Sequence, residues 1–273
     1  MRLIIFFRQT VVYVQQYFYF LRSEGFVKIF MFPIVAAILN IWITGEQMYK
    51  GYSATEMACF VFICEAIWCA MFHSILVIVK ERKNVGRDYI AGVNLESYVL
   101  SRTVVEFVVC AIQSIFFTLS FAIISVVYGN DMPNSGLVND GVLTDIYITM
   151  LLILFSADAL GILISCFAKT EVAASQVAPY FLMIELILSG FLFELTGILD
   201  VSSKLMISRW GTEGLSTVLG LVNYADAAMF KSPLNFEYSA EHLKQIWYVL
   251  LTFSVGEVIL GDIFLHSVKN DRL

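Results

Sequence analysis

The chain has 273 residues, of which 59% are hydrophobic and only 15% charged, with a mean hydropathy of +0.79 and a formal charge of −6. A soluble protein of this size cannot hide so much apolar surface, whereas the hydrocarbon core of a bilayer solvates it. The acidic balance and the lack of any basic stripe exclude nucleic acid as a partner.

The first residues imitate a secretion signal without being one. Arg2 is followed by five apolar residues before Arg8, and no small-residue cleavage site comes after. Over residues 1–24, polar side chains return every seven positions, at Arg8, Gln15 and Arg22 and beside them at Gln9, Gln16 and Ser23. This predicts one narrow polar stripe on an otherwise apolar helix that lies along the membrane surface or packs on cytosolic elements. A seventh span is the competing reading, and the same polar residues make it costly.

Six later stretches are long enough to cross about 30 Å of hydrocarbon. They are 26–44, 55–79, 103–128, 143–166, 172–193 and 246–267. Each is expected to be helical, since a lone strand in lipid leaves its backbone groups unpaired. With both termini in the cytosol, the inner side holds Arg2, Arg8, Arg22, Lys28, Lys80, Arg82, Lys83, Arg87, Arg102, Lys169, Lys269 and Arg272. The outer side then holds Lys50, Lys204, Arg209, Lys231 and Lys244, a bias that follows the positive-inside rule. The acidic, turn-rich segment Tyr128–Gly141 reads as an outer loop. Between 194 and 245, Trp210, Leu215, Val218 and Leu219 predict one or two short amphipathic helices at or dipping into the outer surface, with a polar loop over 231–241. The expected fold is therefore all-α and integral to the membrane. Its expected domains are an amphipathic helix over 1–24 and a six-helix membrane domain over 25–273.

Most chemistry is missing from the sequence. There is no Walker-type phosphate loop, and the run Leu188-Ser189-Gly190 falls inside an expected span. His73, His242 and His266 are scattered, so neither a metal site nor a catalytic triad is expected. The five cysteines, Cys59, Cys64, Cys69, Cys110 and Cys166, all sit in apolar runs and read as buried small hydrophobes.

The loop from Val79 to Arg102 is the most informative segment. Its basic start, Lys80-Glu81-Arg82-Lys83, is either an ordinary headgroup anchor or the beginning of a short helix that meets a cytosolic partner. The segment ERKNVGRDYIAGVNLESYVLSR resembles the first cytosolic loop of ABC-2 type permeases, in particular the White-type exporters and their bacterial relatives. Glu81, Arg82, Arg87, Asp88, Gly92, Ser97 and Tyr98 fall on that pattern. Leu163–Leu195 is similar to the family's fourth-to-fifth span region, with Ser189, Gly190 and Phe193 matching. Ser208-Arg209-Trp210 followed by Glu213-Gly214-Leu215 resembles its outer S-x-x-R-W-x-x-E-A-L motif, with Gly214 in place of alanine. Residues 1–24 resemble the connecting helix that precedes its first span.

The resemblance implies a permease that pairs with a second permease unit. It also implies docking on an ABC ATPase through the 81–98 loop and the connecting helix. ATP and Mg would be bound by that partner, with no cofactor in this chain and no enzymatic activity of its own. White-type members carry the ATPase ahead of the connecting helix, so here it is expected either as a separate polypeptide or as a domain cut away.

Four acidic residues lie at depth. Glu65, Glu185 and Glu257 fall near the middle of their expected spans and Asp158 a few residues from the middle of its own, with no Lys or Arg at the same depth. Each costs about 2.5–3.5 kcal/mol if charged and unpaired. Two readings stand. One is hydrogen bonding across helices, to Gln113, Ser114 or Ser156 for instance; the other is a watery pathway for cationic or amphipathic cargo. Glu106 and Asp262, nearer the span ends, carry less weight. The same carboxylates motivate an alternative class, a channel or ion-driven carrier.

Overall fold

The computed structural model describes residues 2–24, 26–230, 232 and 234–266. The chain is all-helical, with no strand among these residues. Helix α1 covers Arg2–Glu24, α2 Phe26–Thr44, α3 Tyr52–Ser74, α4 Arg82–Ile90 and α5 Leu95–Tyr128. They are followed by α6 Val142–Phe167, α7 Glu171–Ile187, α8 Ile198–Ser203, α9 Ile207–Val218 and α10 Ala240–Leu265. Among the described residues, four stretches are long and apolar enough to cross a membrane, namely Tyr52–Ile90, Leu95–Tyr128, Val142–Phe167 and Ala240–Leu265. Helix α2 adds a shorter apolar stretch, Ile29–Thr44. The outer Lys231, the inner Lys269 and Arg272, and the last expected residue of the sixth span, 267, lie outside the described residues.

Helix α6 is the axis of the bundle. It packs on α10, α3 and α5, and its core-facing residues Ile146, Met150, Ile153, Leu154 and Ala157 are fully buried. Small residues let the helices close up, as expected where lipid supplies no hydrophobic drive between them. Gly161 is the tightest point, because a Cβ there would sit 2.0 Å from the Ser74 hydroxyl.

The connections gather at two ends. At the basic end, the Ser165 hydroxyl receives the backbone N–H groups of Ile78 and Val79, both at 2.9 Å. Leu265 of α10 joins the same apolar cluster as Tyr13, Tyr17 and Val85. At the opposite end, the Asn130 amide donates to the carbonyls of Gly45 and Met48, at 3.0 and 2.8 Å. Asp145 draws in the loop before α6 by accepting the N–H groups of Leu137, Val138 and Asn139.

The structure corrects three sequence expectations. The fifth span does not continue to 193: α7 stops at Ile187, so it rises about 26 Å. The chain then turns at Ser189 and Gly190, whose φ of 77° is in the glycine region. The run Leu188-Ser189-Gly190 is therefore a helix terminus, not the interior of a span. The third correction concerns the outer segment. Only α8 lies open on the surface; α9 goes into the bundle, with Thr212, Leu215, Ser216 and Thr217 fully buried against α3, α6 and α10. The ends of α9 are tolerated inside because protein surrounds them.

Helix α1 packs along α5. Phe6 meets Ser97 and Tyr17 meets Glu106, so the two helices advance in the same direction. Thr10, Tyr13, Tyr17 and Leu21 form the buried stripe. The expected polar stripe is split in two, because the exposed apolar residues Val12 and Tyr19 separate the Arg8/Gln15/Arg22 row from the Gln9/Gln16/Ser23 row.

Candidate functional site

The loop that the sequence singled out forms a strut at the basic end, and its residues divide into braces and a free face. Arg82 is buried, and its guanidinium donates to the carbonyls of Cys166, at 2.8 Å, and Ala168, at 3.3 Å. It thereby closes the carbonyls at the end of α6, a position where a cation also complements the helix dipole. Glu81 receives the Tyr98 hydroxyl at 2.8 Å and forms an ion pair with Arg102. The Arg102 guanidinium lies between two aromatic rings, 4.1 Å from the centroid of Tyr17 and 4.6 Å from that of Tyr98. The Ser97 hydroxyl donates to the carbonyl of Phe6 at 3.3 Å. Four of the expected coupling residues, Glu81, Arg82, Ser97 and Tyr98, thus tie the loop to α1, α5 and α6.

Of the other three, Arg87 and Gly92 face outward, and Asp88 is held against α1. Arg87 is exposed on α4, touching Asn84 of the same helix. Gly92 is exposed, with φ of 96° and open space around it, so glycine is required by backbone conformation rather than by crowding. It ends α4 as a left-handed cap: Gly92 N–H reaches Tyr89 O, and Val93 N–H reaches Asp88 O. Asn94 then opens α5 by accepting the N–H of Glu96 at 3.0 Å. Asp88 is half-buried and accepts the Tyr13 hydroxyl of α1 at 3.1 Å. Burial first, and then the Asp88 charge, push the Tyr13 phenol up to about 12.

Sequence reasoning missed the inner part of this site. Glu106, given little weight there, is fully buried, accepts the Tyr17 hydroxyl and pairs with His73 Nε2 at 3.0 Å. Burial, and next the Glu106 carboxylate, raise the Tyr17 phenol well above its ordinary range. Tyr13, Tyr17, His73, Arg102 and Glu106 together join α1, α3 and α5. The available signal was the spacing of Tyr13 and Tyr17, one turn apart on the face opposite the polar rows.

The four deep carboxylates do not converge. Glu185 is a helix cap: it accepts the N–H of Ser208 at 2.9 Å and of Ile207 at 3.3 Å, at the positive end of α9. Its own carbonyl receives the Ser208 hydroxyl at 2.6 Å. Asp158 is buried in the core of the bundle beside Ser74. Glu257 is half-buried on α10, with Oε2 unbonded.

Glu65, half-buried like Glu257, lies on a stripe of α3 that includes the exposed Met57, Trp68 and Phe72, and it accepts a hydrogen bond from Asn40 of α2. The expected hydroxyl and amide partners do not serve the carboxylates. Ser114 bonds Ala111 O and Ser156 bonds Leu250 O and Ser254, while the Gln113 amide is buried without a bond.

On the far side, Arg209 joins α8 to α9. Its guanidinium pairs with Asp200 at 2.8 Å and with Glu213 at 3.3 Å, and Trp210 Nε1 donates to Lys204 O at 2.8 Å. Arg209 holds the Asp200 carboxyl below the usual carboxylate range. The Ser-Arg-Trp…Glu pattern read in the sequence is thus the clasp of the buried helix.

Apolar helices long enough to cross a membrane, packed in one bundle with a basic strut braced at one end, define a multi-pass membrane protein. The sequence matches the ABC-2 type transporter family over residues 3–219, and the chain belongs to that family. It is a transmembrane permease of an ABC transporter, a transport subunit rather than a catalytic domain. Among curated proteins, none matches it.

Proposed function

We propose that this permease sits in the cell membrane with both termini in the cytosol, pairs with a second permease unit, and exports its cargo with energy from an ABC ATPase. ATP and Mg are bound on that ATPase. The observation that carries the reading is the division of the 81–98 strut. Glu81, Arg82, Ser97 and Tyr98 anchor it on three helices, while Arg87 and the Gly92 turn stay open to a partner. A push on the open face is transmitted because the braces are buried and bonded; a loose loop would absorb it.

The pathway runs beside α3. A carboxylate half-open at mid-span is costly against lipid, so the Met57–Phe72 stripe with Glu65 faces the second unit and a hydrated route between the two. Cargo carrying positive charge is favoured there. Helices α2 and α7, which pack on α3 and leave much of their own surface open, flank the route.

The test is reconstitution with and without the ATPase. Arg87→Ala should leave the permease folded and lower both ATP turnover coupled to cargo and transport by about ten-fold. Uphill transport on an ion gradient, with neither ATPase nor nucleotide present, sinks the reading. That outcome would favour the ion-driven alternative, in which buried carboxylates such as Asp158 relay protons.

A further inference from the structure

At the end opposite the basic strut, four separate stretches of chain converge on one cavity of about 300 Å³. Its walls are Tyr49, from the α2–α3 turn; Asp131, Met132 and Pro133, from the α5–α6 loop; Leu219, Gly220, Asn223 and Tyr224, following α9; and Tyr238, just before α10. The volume is at the lower bound for small-molecule sites. We propose that this cavity binds a small organic cation of the quaternary or tertiary amine class, held by the Asp131 carboxylate and the tyrosine rings.

Three observations support it. The first is composition: among the described residues, three tyrosines and one carboxylate line the cavity, with no Lys or Arg. Aromatic faces attract a cation through the ring quadrupole, and one carboxylate supplies the counter-charge. A single carboxylate with an amide is a poor donor set for a hard metal ion, which needs six or more oxygens.

The second is that the cavity is preformed. Asn130 ties the α5–α6 loop to the α2–α3 turn, and Asp226 ties the segment after α9 to the N-terminus of α3 through the Tyr52 N–H, at 3.1 and 3.2 Å. Little ordering remains to be done when a ligand arrives.

The third is conformational. Tyr49 has φ of 68°, and it is the one non-glycine residue with positive φ among the described residues. Such a conformation costs about 1–3 kcal/mol in a bulky residue and persists only when its surroundings impose it. Here they do: Tyr49 N–H bonds Thr55 Oγ1 at 3.1 Å, and its hydroxyl bonds Phe121 O at 3.2 Å and approaches Met132 Sδ at 3.7 Å. The strain holds the ring in the cavity wall. On the far wall Gly220, with φ of 64°, keeps Tyr238 and Asn223 close; a Cβ there would meet both at 3.1 Å.

The experiment is calorimetric titration of the purified full chain with choline, and with 3,3-dimethylbutan-1-ol as the neutral isostere. Saturable choline binding is expected, with the isostere at least about ten-fold weaker. Asp131→Asn, at an exposed position, should weaken choline about ten-fold without changing the thermal midpoint, and Tyr238→Phe should bind as the native chain does. Absence of saturable binding overturns the proposal, as does equal binding of the isostere or undiminished binding by Asp131→Asn.

Discussion

At the scale of single residues, adjacent members of one motif do opposite things. Arg82 and Arg87 lie five positions apart, and one is bonded to two buried carbonyls while the other is open. Arg82→Ala strands those carbonyls and removes charge-assisted bonds, so it should cost about 2–3 kcal/mol and lower the thermal midpoint in detergent by several degrees. Arg87→Ala should leave that midpoint in place and impair coupling alone. Loss of stability by both variants, or by neither, contradicts the division into braces and face.

The deep carboxylates divide in the same way. Glu65→Gln should reduce transport of cationic cargo several-fold relative to neutral cargo, measured by competitive uptake into inverted vesicles. Glu185→Ala should instead remove a cap worth about 1–2 kcal/mol, seen as earlier unfolding and faster hydrogen exchange at Ile207 and Ser208. These two roles could not be told apart in the sequence. A mid-span glutamate looks the same whether its partner is a backbone N–H more than twenty residues away or open space.

At the scale of elements, α1 and α9 are the ones whose placement matters most. Helix α1 is held on the strut by two phenols. The Tyr13 phenol, raised to about 12, stays protonated when folded at a pH where the free side chain ionises, near 10. Its contribution is complete below about pH 10 and is lost as pH rises through 12. Alkaline titration should therefore release α1 in that window, visible as rising hydrogen exchange over residues 6–17, and Tyr13→Phe should shrink the change. A release profile identical in the variant removes Tyr13 from the contact.

Helix α9 depends on its clasp. Arg209 bridges Asp200 and Glu213 with a forked guanidinium, so Arg209→Lys should fail to restore what Arg209→Ala loses, since an ammonium cannot serve both carboxylates in that geometry. The amphipathic pattern of this segment was legible. Its burial was not, because residues such as Ser216 and Thr217 look solvent-facing until three apolar helices are seen around them.

At the scale of the whole molecule, α3 turns a continuous stripe outward while α6 is enclosed. In a background lacking Cys64, Trp68→Cys should cross-link two copies of the permease, or the permease to its companion unit. Val255→Cys, on the open face of α10, should not. The reverse pattern would put the pathway on the other side of the bundle. This prediction belongs to the assembly, since within one chain both positions are simply exposed.

What the sequence determined by itself was the solvent and the outline. Its hydropathy required a bilayer, and the runs at 26–44, 103–128 and 143–166 matched helices closely at one end or both; the 81–98 loop stood out only through its family resemblance. Such features are local: backbone groups in lipid must bond within their own helix, so apolar length translates directly into structure. Only the tertiary structure decided where α7 ends, that α9 goes inward, that Glu185 caps it, and that Tyr17, His73 and Glu106 meet. Each of those depends on contacts between residues distant in the chain, and a one-dimensional pattern carries no record of which helix faces come together.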